Sequence, residues 1–285
     1  MKKVSVLQEE KKQPFFHQRR RMLFTAIFSI ILLVSIVLTG LLLDKTNIAT
    51  NLIERNASPS WSHLFGTDWL GRDMFARTMM GLSLSIGVGL AGAIGSVIIA
   101  LVLGMIASTG KMADRIISWL IDLFLSVPHL VTLILISFTL GGGFKGLVVG
   151  LVLTHWPSLA RVIRAEVMQI RSAEFVQVSR QMGKSSRWIL MHHIFPHISP
   201  QVIIGFMLLF PHVILHETAV TFLGLGLSPH EPAIGIILSE SMKYLSSGMW
   251  WLAFFPGLAL LLVVRIFDHI GEFLRTVMDP GSAHD

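Results

Sequence analysis

The sequence predicts an all-α polytopic membrane protein with six transmembrane helices, and three observations carry that prediction. Of the 285 residues, 53% are hydrophobic and only 14% are charged, and the mean hydropathy is +0.68. A soluble domain carries roughly 25% charge, so this chain has too little to coat a water-facing surface. Uncharged apolar runs able to cross a hydrocarbon core of roughly 30 Å recur along the chain. The basic residues are also unevenly placed: of 23 Lys and Arg, seven precede Met22 and six lie within residues 161–200. Positive charge beside apolar runs is the mark of membrane orientation, which argues against nucleic acid as the partner. Cysteine is absent, which excludes a disulfide framework, a thiolate metal site and a cysteine nucleophile.

The first span is 22–43, which follows a basic tail, 1–21, and contains 22 residues without a charge. It is longer than the apolar part of a signal peptide, and no A-x-A site follows, so it reads as an uncleaved helix. Residues 44–80 are mixed and polar, and form an extramembrane loop. The second span is 81–110, and Lys111, Asp114 and Arg115 make a short polar connection. The third is 116–140, with Asp122 near its start and Pro128 inside it, and the glycine run 141–143 turns the chain. A shorter fourth span, 146–160, leads into the polar stretch 161–200. The fifth span is 201–227 and contains Pro211 and Glu217. A loop with Pro229 and Pro232 precedes the sixth, which starts at 250 and runs to about Ile270, leaving a tail at 271–285. Six spans place both termini on one side. That side then holds 17 of the Lys and Arg and the other side 6, so both termini are expected in the cytoplasm.

Residues 161–200 are the most informative polar stretch. Phe175, Val178 and Met182 recur at three- and four-residue steps, as on one helix face. Gly183 interrupts the pattern and permits a turn of positive φ. A second piece with Trp188, Ile189 and Met191 is expected to stop before Pro196. An amphipathic helix between two spans must bury its apolar face on its own bundle, at the lipid interface or in a cytosolic partner.

Charges inside the spans are the candidates for a translocation path: Asp122, His212, His216 and Glu217. An acid at mid-bilayer costs roughly 2.5–3.5 kcal/mol, so such groups face protein or water. His212 and His216 share a helix face, with Glu217 beside them. Histidines hydrogen-bonded within the bundle and a transient contact with polar cargo both fit this pattern, and no permanent metal ligand is expected. The zinc motif H-E-x-x-H fails, because Val220 stands where its second histidine belongs. No G-x-x-x-x-G-K-[ST] sequence occurs, so nucleotide belongs on another polypeptide.

In the external loop, Gly66-Thr67-Asp68-Trp69-Leu70-Gly71-Arg72-Asp73 places Asp68, Arg72 and Asp73 close enough for one ion-pair and capping cluster at the entrance to span two. Its role is either a helix cap or a dock for an external protein.

These stretches resemble a known family. Glu174-Phe175-Val176, then Gly183, Ile189 and His193-Ile194-Phe195-Pro196, are similar to the EAA motif of ABC importer permeases. Gln177-Val178-Ser179 stands where the motif's name has Glu-Ala-Ala. Residues 66–73 resemble the GTDxLGRD signature of the C-type permease of dipeptide, oligopeptide and nickel importers. Phe222-Leu223-Gly224-Leu225-Gly226, Pro229, Pro232 and Asp279-Pro280 resemble the same proteins.

The resemblance implies a type I, MetI-like permease fold with a five-helix core at 81–270 and a cytoplasmic coupling loop at 161–200. It implies coupling to ATPase subunits through Glu174, Phe175, Gln177, Ser179, Gly183, Ile189, His193 and Pro196, with Gly66, Asp68, Gly71, Arg72 and Asp73 forming the external motif. It further implies a transport subunit without its own ATPase site, in a bacterial cytoplasmic membrane. Its partners would be membrane lipid, a second permease subunit in a heterodimer, two ATPase subunits that hold ATP and Mg, and an extracellular binding protein. His155-Trp156, with Arg161 and Arg164 after it, favours nickel or a metal–chelator complex as cargo over di- or oligopeptides. An ATP-independent channel is the alternative of another class.

Overall fold

A computed structural model describes residues 15–278. The expected tail up to Pro14 and the Asp279-Pro280 pair lie outside them. The described chain is built from ten α-helices and a few short turns of helix, with a single isolated β-bridge between Thr67 and Asp73. Five helical stretches are long and apolar enough to cross a membrane, and one bent pair of helices reaches that length and hydropathy only when the two are taken together.

Several helices outrun their apolar runs. The first, α1, spans Phe15–Leu42 and starts before the expected boundary at 22. Arginine is a good helix former, so the basic residues up to Arg21 bound the apolar run without ending the helix. Helix α2 (Met74–Ala107) begins seven residues before Gly81, because the Asp73 carboxylate accepts from Ala76 N–H at 2.8 Å and caps it. Helix α5 (Gly143–Ser172) carries the fourth span twelve residues past Ala160 into the polar stretch.

The third span departs most from expectation. It is two helices, α3 (Lys111–Ser126) and α4 (His129–Thr139), bent by 95°. Val127 is extended ahead of Pro128, as a residue before proline prefers to be, so the helix breaks there.

The stretch expected to couple to an ATPase holds two short helices, α6 (Glu174–Gln181) and α7 (Ser186–Ile189). Pro196 does not end the second piece as expected. A π-helical turn, Leu190–Ile194, passes directly into α8 (Phe195–Phe222). There Phe195 N–H donates to Leu190 O, five residues back. Pro196 stands at the second position of α8, directly after this π turn, where the regular four-residue bonding pattern is already interrupted. The loop with Pro229 and Pro232 leads into a further helix, α9 (Ile234–Met242), and α10 (Trp251–Met278) runs beyond Ile270.

At the centre lies α2, packed on α5, α8 and α1; α10 closes the bundle against α8, α1 and α9. Small residues let α2 and α5 approach. A methyl added at Gly104 would lie 2.7 Å from Ile163 Cγ2, and one at Gly92 would lie 3.0 Å from Leu151 Cβ. The outer side of α1 exposes Phe24, Phe28, Ile31 and Leu38, the apolar face a lipid-facing helix presents.

Candidate functional site

Sequence and local geometry build the coupling segment first. Ala173, in extended conformation, breaks the chain between α5 and α6. After α6, Gly183 takes a left-handed φ of 78°, and Lys184 N–H donates back to Ser179 O at 3.1 Å. Ser185 then caps α7 by accepting from Trp188 N–H. One face of this hairpin turns inward through Val176 and Ile189, both buried in the core.

The other face is apolar and uncovered. Phe175, Val178 and Met182 are 42%, 52% and 73% exposed. Of the three fates open to this face, burial in the chain's own bundle is therefore excluded. Phe175, Ser179 and His193 come together: the Phe175 ring lies edge-on to His193 at 5.4 Å, and Ser179 Oγ lies 2.9 Å from His193 Nε2. Gln177 donates to Ser172 O, while Glu174 and Pro196 are exposed. The segment is thus a preformed projection, held from behind and presenting apolar side chains outward.

On the other end of the bundle, residues 66–73 form a tight loop. Gly66 and Gly71 both take positive φ, 72° and 71°. Asp68 is fully enclosed. Its Oδ1 accepts from Leu70 and Arg72 N–H groups, and its Oδ2 accepts from Arg72 Nε at 2.6 Å and Arg77 Nη1 at 2.7 Å. Arg77 Nη2 donates to Glu240 Oε2 of α9 at 2.8 Å. Asp73 caps α2 and also lies 2.8 Å from His63 Nδ1. The network ties the loop to α2 and α9. Glu240 escaped sequence reading, because it lies 168 residues from Arg72 and carries no motif.

The four intramembrane candidates do not form one group. Asp122 pairs with Arg161 at 2.7 Å between α3 and α5, on an exposed surface. Glu217 is fully buried and accepts from Thr218 and Thr221; Thr221 Oγ1 in turn accepts from Leu227 N–H. Glu217 therefore braces the chain through the Gly224–Gly226 turn. His212 lines a groove of about 260 Å³ between α5 and α8, with Ser158, Val162, Gln201 and Ile204. His216, one turn further along α8, meets His155 of α5 and His129 of α4. His129 carried no sequence signal, because only the bend at Pro128 brings the start of α4 to this point.

Comparison with known proteins fits this geometry. Residues 96–282 match the family described as the binding-protein-dependent transport system inner membrane component. The chain is 30% identical to the dipeptide transport system permease protein DppC of Bacillus subtilis (strain 168), over 92% of this chain and 83% of that protein. It is 34% identical to DppC of Alkalihalophilus pseudofirmus, over 90% of this chain and 85% of that one. A putative peptide permease protein of Brucella suis biovar 1 is 35% identical, over 94% and 89%. Among solved structures, an inward-facing form of the MetNI methionine ABC transporter has the same fold, with a TM-score of 0.59 at 17% identity. The match covers 72% of this chain and 98% of that one. This chain belongs to the binding-protein-dependent transport system inner membrane component family, and it is a permease of an ABC importer.

Proposed function

We propose that this chain imports di- or oligopeptides across a bacterial cytoplasmic membrane as one of two permease subunits in a heterodimer, with both termini inside. The observation that carries the cargo assignment is the identity of 30–35%, over nine-tenths of the chain, with permeases named for dipeptides or peptides. Two ATPase subunits, which bind ATP and Mg, receive the α6–α7 projection, and an external binding protein delivers cargo on the opposite side. The uncovered face of Phe175, Val178 and Met182 supports that docking, since a channel without an ATPase has no use for a preformed apolar projection. When the ATPases close, the projection moves, and α8, continuous with its second half through the π turn, carries the movement into the bundle.

This reading replaces the preference for nickel or a metal–chelator complex. The relatives named above favour peptide cargo. Two residues behind that preference also have other work: Arg161 pairs with Asp122, and Arg164 pairs with Asp114 at 2.5 Å. Uptake of a labelled dipeptide and of radioactive nickel, compared in a deletion strain with and without the gene restored, tests it. Restored dipeptide uptake is expected; restoration of nickel uptake alone would overturn the assignment.

A further inference from the structure

His129, His155 and His216 converge from three helices. Their rings lie with centroids 4.3 Å (129–155), 4.6 Å (129–216) and 5.1 Å (155–216) apart. His155 Nε2 is 3.2 Å from His129 Nε2 and 3.0 Å from His216 Nδ1, and one nitrogen from each ring falls within 4.8 Å of the other two. Two nitrogens on a tetrahedral metal, each about 2.0–2.1 Å from it, stand about 3.3–3.4 Å apart. The 129–155 and 155–216 nitrogen pairs already lie within a few tenths of an ångström of that spacing.

Protonation sharpens the case. His155 Nδ1 lies 2.9 Å from Leu151 O, so that nitrogen carries the proton and donates it. His155 Nε2 is then the lone-pair nitrogen, with a single in-plane lone pair pointing at two neighbours. Without a cation, that one lone pair can accept a well-directed hydrogen bond from only one of the two neighbouring rings. A cation in the middle accepts a lone pair from each ring instead, and the protons move to the outer nitrogens of His129 and His216. The bond from His155 to a backbone carbonyl is the outer-sphere contact that orients a metal-bound histidine.

We propose that these three histidines form a binding site for a borderline divalent transition-metal ion such as Zn²⁺ or Co²⁺, bridging α4, α5 and α8. Three imidazoles suit such metals better than the hard cations Mg²⁺ and Ca²⁺, which prefer oxygen. The fourth coordination position is left for water or another small ligand. A groove lies about one helical turn from the cluster on the side of the α6–α7 hairpin. The groove between α5 and α8 is lined by Ser158 and His212, each one turn nearer the coupling segment than His155 and His216. The ion is a bridge within the permease and not its cargo, so this inference stands apart from the peptide assignment.

The test uses the assembled importer, purified on a histidine-free tag, stripped with chelator and titrated with Co²⁺. The expected result is one Co²⁺ per chain with the visible d–d absorption of a four- or five-coordinate site, and a higher thermal midpoint on binding. His129→Gln and His216→Gln, both at half-buried positions, should each weaken binding by at least about tenfold and abolish the midpoint shift. His192→Gln and His197→Gln, on the exposed coupling segment, should leave both unchanged. Elution volume and midpoint without metal report whether each variant is folded. Absence of the Co²⁺ spectrum in the wild-type complex would overturn the proposal. So would unchanged binding in folded His129→Gln and His216→Gln.

Discussion

Arg77 holds two carboxylates at once: its Nη1 donates to Asp68 Oδ2 at 2.7 Å and its Nη2 to Glu240 Oε2 at 2.8 Å. Asp68 is fully buried and the Arg77 side chain nearly so, while Arg72 contributes a second guanidinium at 2.6 Å from Asp68. One guanidinium fork thus joins the external loop to α9 across 163 residues of sequence. The enclosure of Asp68 makes it a brace for the loop, so any external protein meets the outer residues of the loop and not this carboxylate.

Breaking that network should cost stability. Asp68→Asn leaves Arg72 and Arg77 with one carboxylate between them. Removing one partner of a buried pair costs about 3–5 kcal/mol, because the other charge is left unmatched. A lower thermal midpoint in detergent and lower membrane abundance are expected, whereas Glu54→Gln, on the half-exposed side of the loop, should change neither.

Gly183→Val should uncouple transport from ATP hydrolysis. The space around Gly183 is open, so the added side chain meets nothing; the strain comes only from its φ of 78°. A left-handed residue with a Cβ costs about 1–2 kcal/mol, and β-branching adds to that. Reconstituted vesicles should show reduced uptake and weaker stimulation of ATPase activity. Gly183→Asn, which tolerates this conformation, should retain most of both.

The exposed and buried sides of α6 should separate in their effects. Phe175→Ala and Met182→Ser remove exposed apolar surface and should weaken recovery of the ATPase subunits by roughly tenfold or more, with the fold intact, as loss of an interface anchor does. Val176→Ala deletes a core side chain and should lower the thermal midpoint instead. Co-purification ratio and thermal midpoint, measured on the same samples, distinguish the two.

Gly104→Ala should wedge α2 from α5. The added methyl lies 2.7 Å from Ile163 Cγ2 and 3.4 Å from Arg164 N, so the helices must shift. Overpacking of this kind costs about 1–3 kcal/mol. Pairing it with Ile163→Ala should recover part of the loss, which thermal unfolding of single and double variants would reveal.

Much of the architecture was legible in residue order. Apolar runs located the helices, because a lipid interior admits only segments that satisfy their own backbone. The spacing of Phe175, Val178 and Met182 with Gly183 after them marked the α6–α7 hairpin, since a helix face and a left-handed turn are local properties. Helix ends were legible only where a local group sets them. Charge marks the bilayer boundary, but Arg161 to Ser172 continue α5 without a break. Pro128 bends the chain and Pro196 does not, although both are prolines within apolar surroundings. A π turn that no local pattern announced precedes Pro196, and Pro157, Pro200, Pro211 and Pro256 also stay within helices.

The sequence by itself pointed to a membrane medium, to apolar runs long enough to cross it and to an amphipathic hairpin between two of them, because each follows from hydropathy or from periodicity over a few turns. Only the tertiary structure decided which charges stand alone and which are matched. Glu240 completes Arg77, Asp122 is taken up by Arg161, and Glu217 is spent on its own helix end. It also decided that His129, His155 and His216 share one point. Their meeting depends on a 95° bend and on the packing of three helices, and long-range packing has no spacing along the chain to betray it.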